Sequence, residues 1–489
     1  MSRRAFNTSA DSLFTALKRG DEKTALRLIA DGAPFLQENA DGDTAWHIAA
    51  RAGLHGALRL MAQMDAGALN SAAAQGSAIS EAAARGDIKT ITVLLDIGAS
   101  PDTPDASGKT PMMRALEQQE YRALEYLVRM GAKIAAADAE HKNILHLAAE
   151  INDTAALRIL LSADGALHVQ TRMESAAKMT PLMAAARAGA EEAARILLHA
   201  GANPNIPDAQ NMTPLHAAAE RNDAGMIYTL VYEGHADIDR PANAGYTALH
   251  SAVIHKSAEA LRALCDLGAD AHLKDNDGRT PLHIAGWGGF LAGVKYLMED
   301  VAAETNEDDA MQSRTQALYD ALFYYHADVV DYLLQSGKVD MNRPTHAGEY
   351  PLQAALQNGQ SDMAEKIIAA GADVNVKNKQ GMSPLLLCAL RNLVVPASLL
   401  LQKGANPNLA PLSEPPLHAA IAGDFPFMVT LLLDHGANPM QADSMGRVAI
   451  DLARQKGRGQ NMVGAIARAQ ERFANMKNGS APKPATPDA

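Results

Sequence analysis

The sequence predicts an all-α fold, a solenoid of about 14 helix-turn-helix units joined by hairpin fingers. Three observations predict it. A ten-residue segment recurs down the chain, with most copies 33 residues apart. Many copies close with a second signature, LL-x-x-GA, as at Leu197, Leu198, Gly201 and Ala202. Composition suits close helix packing, because 47% of the 489 residues are hydrophobic yet 4% are aromatic. Ala and Leu supply much of that apolar content, and both are strong helix formers.

The clear copies are TAWHIAARAG from Thr44, TPMMRALEQQ from Thr110, NILHLAAEIN from Asn143, TPLMAAARAG from Thr180, TPLHAAAERN from Thr213, TALHSAVIHK from Thr247 and TPLHIAGWGG from Thr280. YPLQAALQNG from Tyr350, SPLLLCALRN from Ser383 and PPLHAAIAGD from Pro415 follow, and degenerate copies start near Asp11, Ser77, Gln316 and Val448. The unit from Thr213 shows how each element arises. Thr213 is an N-cap, and Pro214 suits the first helical position, where no N–H is needed. Leu215, Ala218 and Ala219 form a buried stripe at i, i+3 and i+4. Asn222 ends the helix in left-handed geometry, where other units place Gly20, Gly53, Gly86, Gly189, Gly289 or Gly359. Asp223 caps a second helix carrying Ile227, Leu230 and Val231, as Asp21, Asp87 and Asp153 do elsewhere. A polar stretch such as KDNDGR at 274–279 makes the finger.

This pattern resembles the ankyrin repeat family, whose period and T-P-L-H-x-A signature it matches over about residues 11–475. Residues 1–10 are then an N-terminal extension and 476–489 a disordered, Pro/Ala/Ser-rich tail after a final helix over roughly 460–475. The period breaks at 162–179, a lengthened finger, and at 299–315, where EDVAAETNEDDAMQSRT replaces one. Insertions in repeat proteins map to loops, often on the binding side.

Charge and motifs narrow the function. The net charge of −12 opposes nucleic acid. Cys265 and Cys388 lie far apart in apolar helical segments, so they read as buried thiols rather than a disulfide or a zinc site. No apolar run follows the first arginines, and none reaches about 18 residues, so the expected location is cytoplasmic, with a signal-independent export route open. His47, His146, His216, His250, His283 and His418 take the fourth position of their units; one per unit, they are too far apart to share a metal ion. The resemblance makes them structural. The acidic run Glu299, Asp300, Glu304, Glu307, Asp308 and Asp309 lacks calcium-loop spacing. No phosphate loop or nucleophile elbow is present, and GWGG at 286–289 lies inside a repeat helix. No cofactor, metal or catalytic residue is expected.

With positions 3, 6, 7 and 10 of a unit buried, positions 5, 8 and 9 face outward, and in the family 8 and 9 line the concave face. Most units place small or charged residues there, such as Arg187 and Ala188 or Glu220 and Arg221. Trp287 at position 8 of the unit from Thr280, and Phe323 and Tyr324 at 8 and 9 of the unit from Gln316, depart from this. Flanked by Ile254, His255 and the acidic 299–309 stretch, they form the candidate surface for a basic protein partner of a monomeric scaffold. The competing reading packs these rings against the insertion. Trp46, at a buried Leu position, belongs to the core. The resemblance also admits a bacterial effector acting on host proteins through the same array. From a different class comes an enzyme or ligand sensor with a site in the irregular 299–350 region, where Tyr319, Asp320, Tyr325, His326 and Asp328 are close in sequence.

Overall fold

The computed structural model describes residues 3–39, 41–65, 69–70, 76–105, 107–162, 178–299, 307–409 and 414–477. Among them are 28 α-helices and no strand, in fourteen inner–outer pairs, one per expected repeat. The pairs fall into two compact lobes, Met1–Asp270 and Ala271–Ala489.

Within each lobe the inner helices lie side by side and each backs onto its own outer helix. In the first lobe, Pro181–Ala188 packs against Ile144–Glu150, Pro214–Glu220 and its outer partner Glu191–His199. In the second, Pro384–Arg391 does the same with Pro351–Gln357, Pro416–Ala422 and Val394–Gln402. The core sits in the seams. Leu215, Ala218 and Ala219 are buried as the stripe requires, and so is Trp46. A fully buried Leu is worth roughly 1.5–3 kcal/mol, and small alanines beside it let the helix axes approach.

The helix ends follow the capping logic. The Thr180 hydroxyl accepts the Met183 N–H at 3.2 Å, and Pro181 opens the helix. Asp21, Asp87, Asp153 and Asp223 accept N–H groups from the first turn of their outer helices at 2.9–3.1 Å. Asn222 holds φ 59° and Gly189 φ 75°, the left-handed turn between the helices. Fingers are tied by side-chain amides and carboxylates of the preceding repeat. Asn205 accepts the Asp237 N–H at 2.8 Å, Asn342 that of Asp373 at 2.7 Å, and Asn375 that of Asn406 at 2.8 Å.

The histidines of the T-x-x-H box are structural. His216 Nδ1 accepts from the Thr213 backbone N–H at 3.2 Å, which leaves Nε2 to donate to the Tyr246 carbonyl of the next repeat at 3.0 Å. His47, His146 and His418 reach the Gly76, Met179 and Arg447 carbonyls at 2.6, 3.0 and 3.0 Å. In the unit from Tyr350, Gln353 takes over and donates to the Met382 carbonyl at 2.7 Å.

Four features differ from expectation. The first helix spans Arg3–Lys18, so residues 3–10 belong to it and are not a separate extension. The outer helix after Pro214–Glu220 carries a π turn at Thr229–Glu233, which absorbs the extra residue of this 34-residue repeat. The acidic stretch is helical from Glu307, giving one 17-residue helix, Glu307–Phe323, in place of a finger and a short helix. Its segment EDDAMQSRTQALYDALF has no Gly or Pro and begins with acids, which favours a helix start. The last helix runs Gln460–Lys477. The lengthened finger at 163–177, residues 300–306 and the tail from 478 lie outside the described residues.

Candidate functional site

The aromatic positions are set by an unusually close pair of inner helices. Pro281–Gly288 lies against Glu307–Phe323 at Gly286, where an added Cβ would stand 2.5 Å from the Ala317 carbonyl oxygen. The next glycine that matters, Gly289, holds φ 64°, and a side chain there would run into the His326 ring. That ring donates from Nε2 to the Trp287 carbonyl at 3.0 Å. The GWGG run is therefore a close-packing device that seats Trp287 beside the following repeat.

Four rings follow one another across this junction. Trp287 and Tyr324 meet edge to face at 5.8 Å, Tyr324 and Phe323 at 5.2 Å, and Phe323 stacks on Tyr319 at 6.2 Å. Trp287 is 43% exposed, Phe323 42% and Tyr324 47%, so the chain of rings faces solvent. Such pairs are worth about 0.5–1.5 kcal/mol each beyond burial, which stiffens the surface. In the repeat from Gln316 positions 3, 6 and 7 (Leu318, Ala321 and Leu322) are buried as expected, but position 10 is not: Tyr325 takes the left-handed turn that ends the helix and is exposed.

Tyr325, which the sequence places only in the alternative site of the irregular region, is a further exposed ring at this helix end. It holds φ 66° where most repeats use Gly or Asn and three use Gln119, Lys256 or Asp424, a conformation costly for a bulky residue. Its ring is 65% exposed and its hydroxyl donates to the Asn358 carbonyl at 3.1 Å. Asn358 in turn donates to the Phe323 carbonyl at 2.9 Å, closing the end of the helix. Beside it, Tyr325, His326, Val330, Gln360 and Met363 line an open depression.

Ile254 and His255 belong to the first lobe. Ile254 is 37% exposed at its inner-helix end, and His255 Nδ1 bonds its own Ser251 carbonyl at 3.0 Å.

The acids expected to flank the rings are largely spent on intramolecular contacts. Arg343 grips Asp308 through two hydrogen bonds of 2.7 and 2.8 Å and adds a third to Gln312 at 2.6 Å. Glu299 accepts the Tyr332 hydroxyl at 2.7 Å. Asp300 and Glu304 lie outside the described residues, as does the side chain of Glu307. Asp308 is thus paired within the chain by a bidentate arginine, and Glu299 by a neutral hydroxyl, while Asp309 is exposed.

The carboxylates next to the rings are different ones. Asp320, half-buried at position 5, accepts from the Gln316 amide at 3.0 Å. Burial pushes its pKa up to about 6, and only the Gln316 bond and the Arg279 charge work against that. Tyr319 is also raised, by burial and then by the charges of Glu349 and Asp320. Glu349 accepts from the Asn378 amide at 3.2 Å. Asp320, Tyr325, His326 and Asp328 share no hydrogen bond with one another among the described residues, so the acid–base cluster suggested by their closeness in sequence does not assemble.

Among the described residues no group of His, Cys, Asp and Glu is arranged to hold a metal ion, and no helix is long and apolar enough to cross a membrane. A family model described as Ankyrin repeats (3 copies) matches residues 135–208, 200–275, 267–345, 290–378, 318–410 and 352–443. Rabankyrin-5 of Homo sapiens is 27% identical over 330 residues, covering 56% of this chain and 28% of that protein. SH3 and multiple ankyrin repeat domains protein 2 of Homo sapiens is 30% identical over 190 residues, 38% of this chain and 10% of that protein. Neurogenic locus notch homolog protein 1 of Mus musculus is 30% identical over 191 residues, 39% of this chain and 6% of that protein. The chain thus spans less than a third of the length of each of these relatives.

Proposed function

The chain belongs to the ankyrin-repeat family, and on that premise we propose that it is a protein-interaction scaffold whose contact surface centres on Trp287, Phe323 and Tyr324. The observation that carries this reading is the exposed chain of rings. In a sequence with two Trp and 4% aromatics, three of them stand at outward positions of adjacent repeats and brace one another edge to face. Preformed, rigid aromatic anchors are the surfaces on which binding energy concentrates. The repeats supply the rigidity, since several are tied to the next by buried bonds such as those of His216 and Gln353. No chemistry is assigned to the site.

Crosslinking capture with the wild type and with a Trp287→Ala, Phe323→Ala, Tyr324→Ala variant tests the reading, after circular dichroism has shown equal helix content. Hot-spot truncations cost about 2 kcal/mol or more each, so a true partner is lost from the variant. Identical captures would remove the aromatic surface as the contact site.

A further inference from the structure

We propose that the ring chain and Asp320 together receive an arginine side chain presented by the protein partner, its guanidinium paired with the Asp320 carboxylate and laid against the neighbouring rings. The inference rests on the aromatic surface being the contact site and adds the chemistry that this surface reads.

Position 5 is where the case begins. Ala217, Ile284, Ala354 and Ala419 fill it with buried apolar side chains, while the repeat from Ser77 places Glu81 there and pairs it at 3.1 Å with Arg51, position 8 of the preceding repeat. The repeat from Gln316 also places a carboxylate there, half-buried, but position 8 of its preceding repeat is Trp287 and its hydrogen-bond donor is the neutral Gln316 amide. A carboxylate has about four acceptor positions, so most of its capacity faces outward unfilled by that amide. The nearby arginines are committed elsewhere. Arg279 donates to Asp275 at 2.8 Å and to Asp277 at 2.6 Å, and Arg343 to Asp308. Burial without a dedicated cation is also why Asp320 holds its proton more tightly than an ordinary carboxylate.

The surroundings select the cation. Phe323 and Tyr324 lie three and four residues on from Asp320, on the next turn of the same helix face, and the Asp320 charge also reaches Tyr319, whose pKa is raised by burial and then by Glu349 and Asp320. Tyr324 and Trp287 extend them. Aromatic faces attract cations, and the planar guanidinium alone can stack on a ring while donating two parallel hydrogen bonds to a carboxylate. Glu349, close enough to Tyr319 to shift its titration, adds a second negative charge, and the whole chain carries −12. An acidic partner segment would meet repulsion here, and a purely apolar one would leave Asp320 buried and unpaired.

The test uses the full chain and Trp287 as reporter, since Trp46 is fully buried. Capped glycine–arginine pentapeptides are titrated against Trp emission, beside versions carrying lysine or citrulline in place of arginine. The expected result is saturable binding of the arginine peptide, weakened at least tenfold by Asp320→Asn and by lysine or citrulline, and unchanged by Asp96→Asn, a remote exposed charge change. Asp320→Asn keeps the hydrogen bond to Gln316, and a thermal melt checks its fold. Equal binding by wild type and Asp320→Asn would overturn the proposal by exposing plain attraction to an acidic chain. Equal binding of lysine and arginine peptides would overturn it too, because stacking and bidentate pairing would then be idle. No binding of any peptide would do the same. A partner captured by wild type and Asp320→Asn but lost from the triple aromatic variant would leave the interaction scaffold standing and remove the arginine reading.

Discussion

The repeat from Thr213 and the repeat from Gln316 occupy equivalent places in a series, yet they spend their residues differently. In the first, His216 bridges Thr213 to the Tyr246 carbonyl, and the outward positions 8 and 9 are Glu220 and Arg221. In the second, Tyr319 stands at the histidine position and the outward positions are Phe323 and Tyr324. The second repeat lacks the buried box and is held from outside instead. Arg343 ties its long helix to the next finger through Asp308 and Gln312, and Thr315 donates to the Asp340 carbonyl at 3.1 Å. A repeat relieved of the box signature can carry residues chosen for its surface. The comparison teaches that the irregular repeat is still stacked, by exposed polar staples rather than by a buried histidine.

Acid should separate the two most strongly. His146 and His283 are held down to about 4 by burial, and His47, His216 and His418 are lowered for the same reason. A histidine whose folded pKa lies below its unfolded value of about 6.5 costs nothing above pH 6.5. Below that the unfolded chain binds more protons, so stability falls progressively to about pH 4, by roughly 3 kcal/mol for each histidine shifted this far. Asp320 has the opposite sign. Its folded pKa is raised, so its contribution is intact below about pH 4 and is lost as pH rises through about 6. Hydrogen exchange at pH 7 and pH 4.5 should therefore show the histidine-bearing inner helices loosening more than Glu307–Phe323. Uniform loosening would erase the distinction.

A smaller break comes from His216→Ala. It strands the buried Thr213 N–H, worth about 1–3 kcal/mol when unpaired, removes a buried ring, and leaves the Tyr246 carbonyl with the Ala242 N–H at 2.7 Å. Urea unfolding should show a loss of roughly 2–4 kcal/mol, and a change below about 0.5 kcal/mol would mean the box is not what holds the regular repeats.

Gly286→Val probes the other side. The added carbons meet the Ala317 backbone, so the two inner helices must separate, at a cost of about 1–3 kcal/mol. Separation should also loosen the edge-to-face contact of Trp287 with Tyr324 and shift Trp287 emission toward the red. Unchanged emission with full stability would show that the close approach is not needed to set the rings.

Asp320→Asn gives the smallest and the most telling change, because it runs the other way. Removing a half-buried charge should raise stability at pH 7.5 by about 1–2 kcal/mol and leave it unaltered at pH 4. A destabilised variant would mean that Asp320 already has its cation within the chain.

Much of this molecule was legible in its sequence. Thr, Pro, Asp and Gly at fixed offsets announce caps and turns, because capping is a local bond between neighbours in the chain. The outward register of Phe323 and Tyr324 followed from counting to the left-handed position that Tyr325 now occupies. The acidic stretch was harder. Arg343, 35 residues from Asp308, grips the first turn of the helix that this stretch forms from Glu307, and that pairing commits the Asp308 charge within the chain. Asp320 was singled out only for an acid–base cluster that does not assemble, and Glu349 gave no signal, since an isolated acid in a repeat looks the same whether it is solvated or half-buried beside rings.

By itself, then, the sequence determined the repeat and its helices, which depend on short-range geometry and a strict period, but it set position 5 outward where neighbouring repeats bury Ala217, Ile284, Ala354 and Ala419. Tertiary structure alone decided which carboxylates are neutralised and which stand beside the rings. Charge is settled by distance and burial in space, and neither is written in the order of residues along the chain.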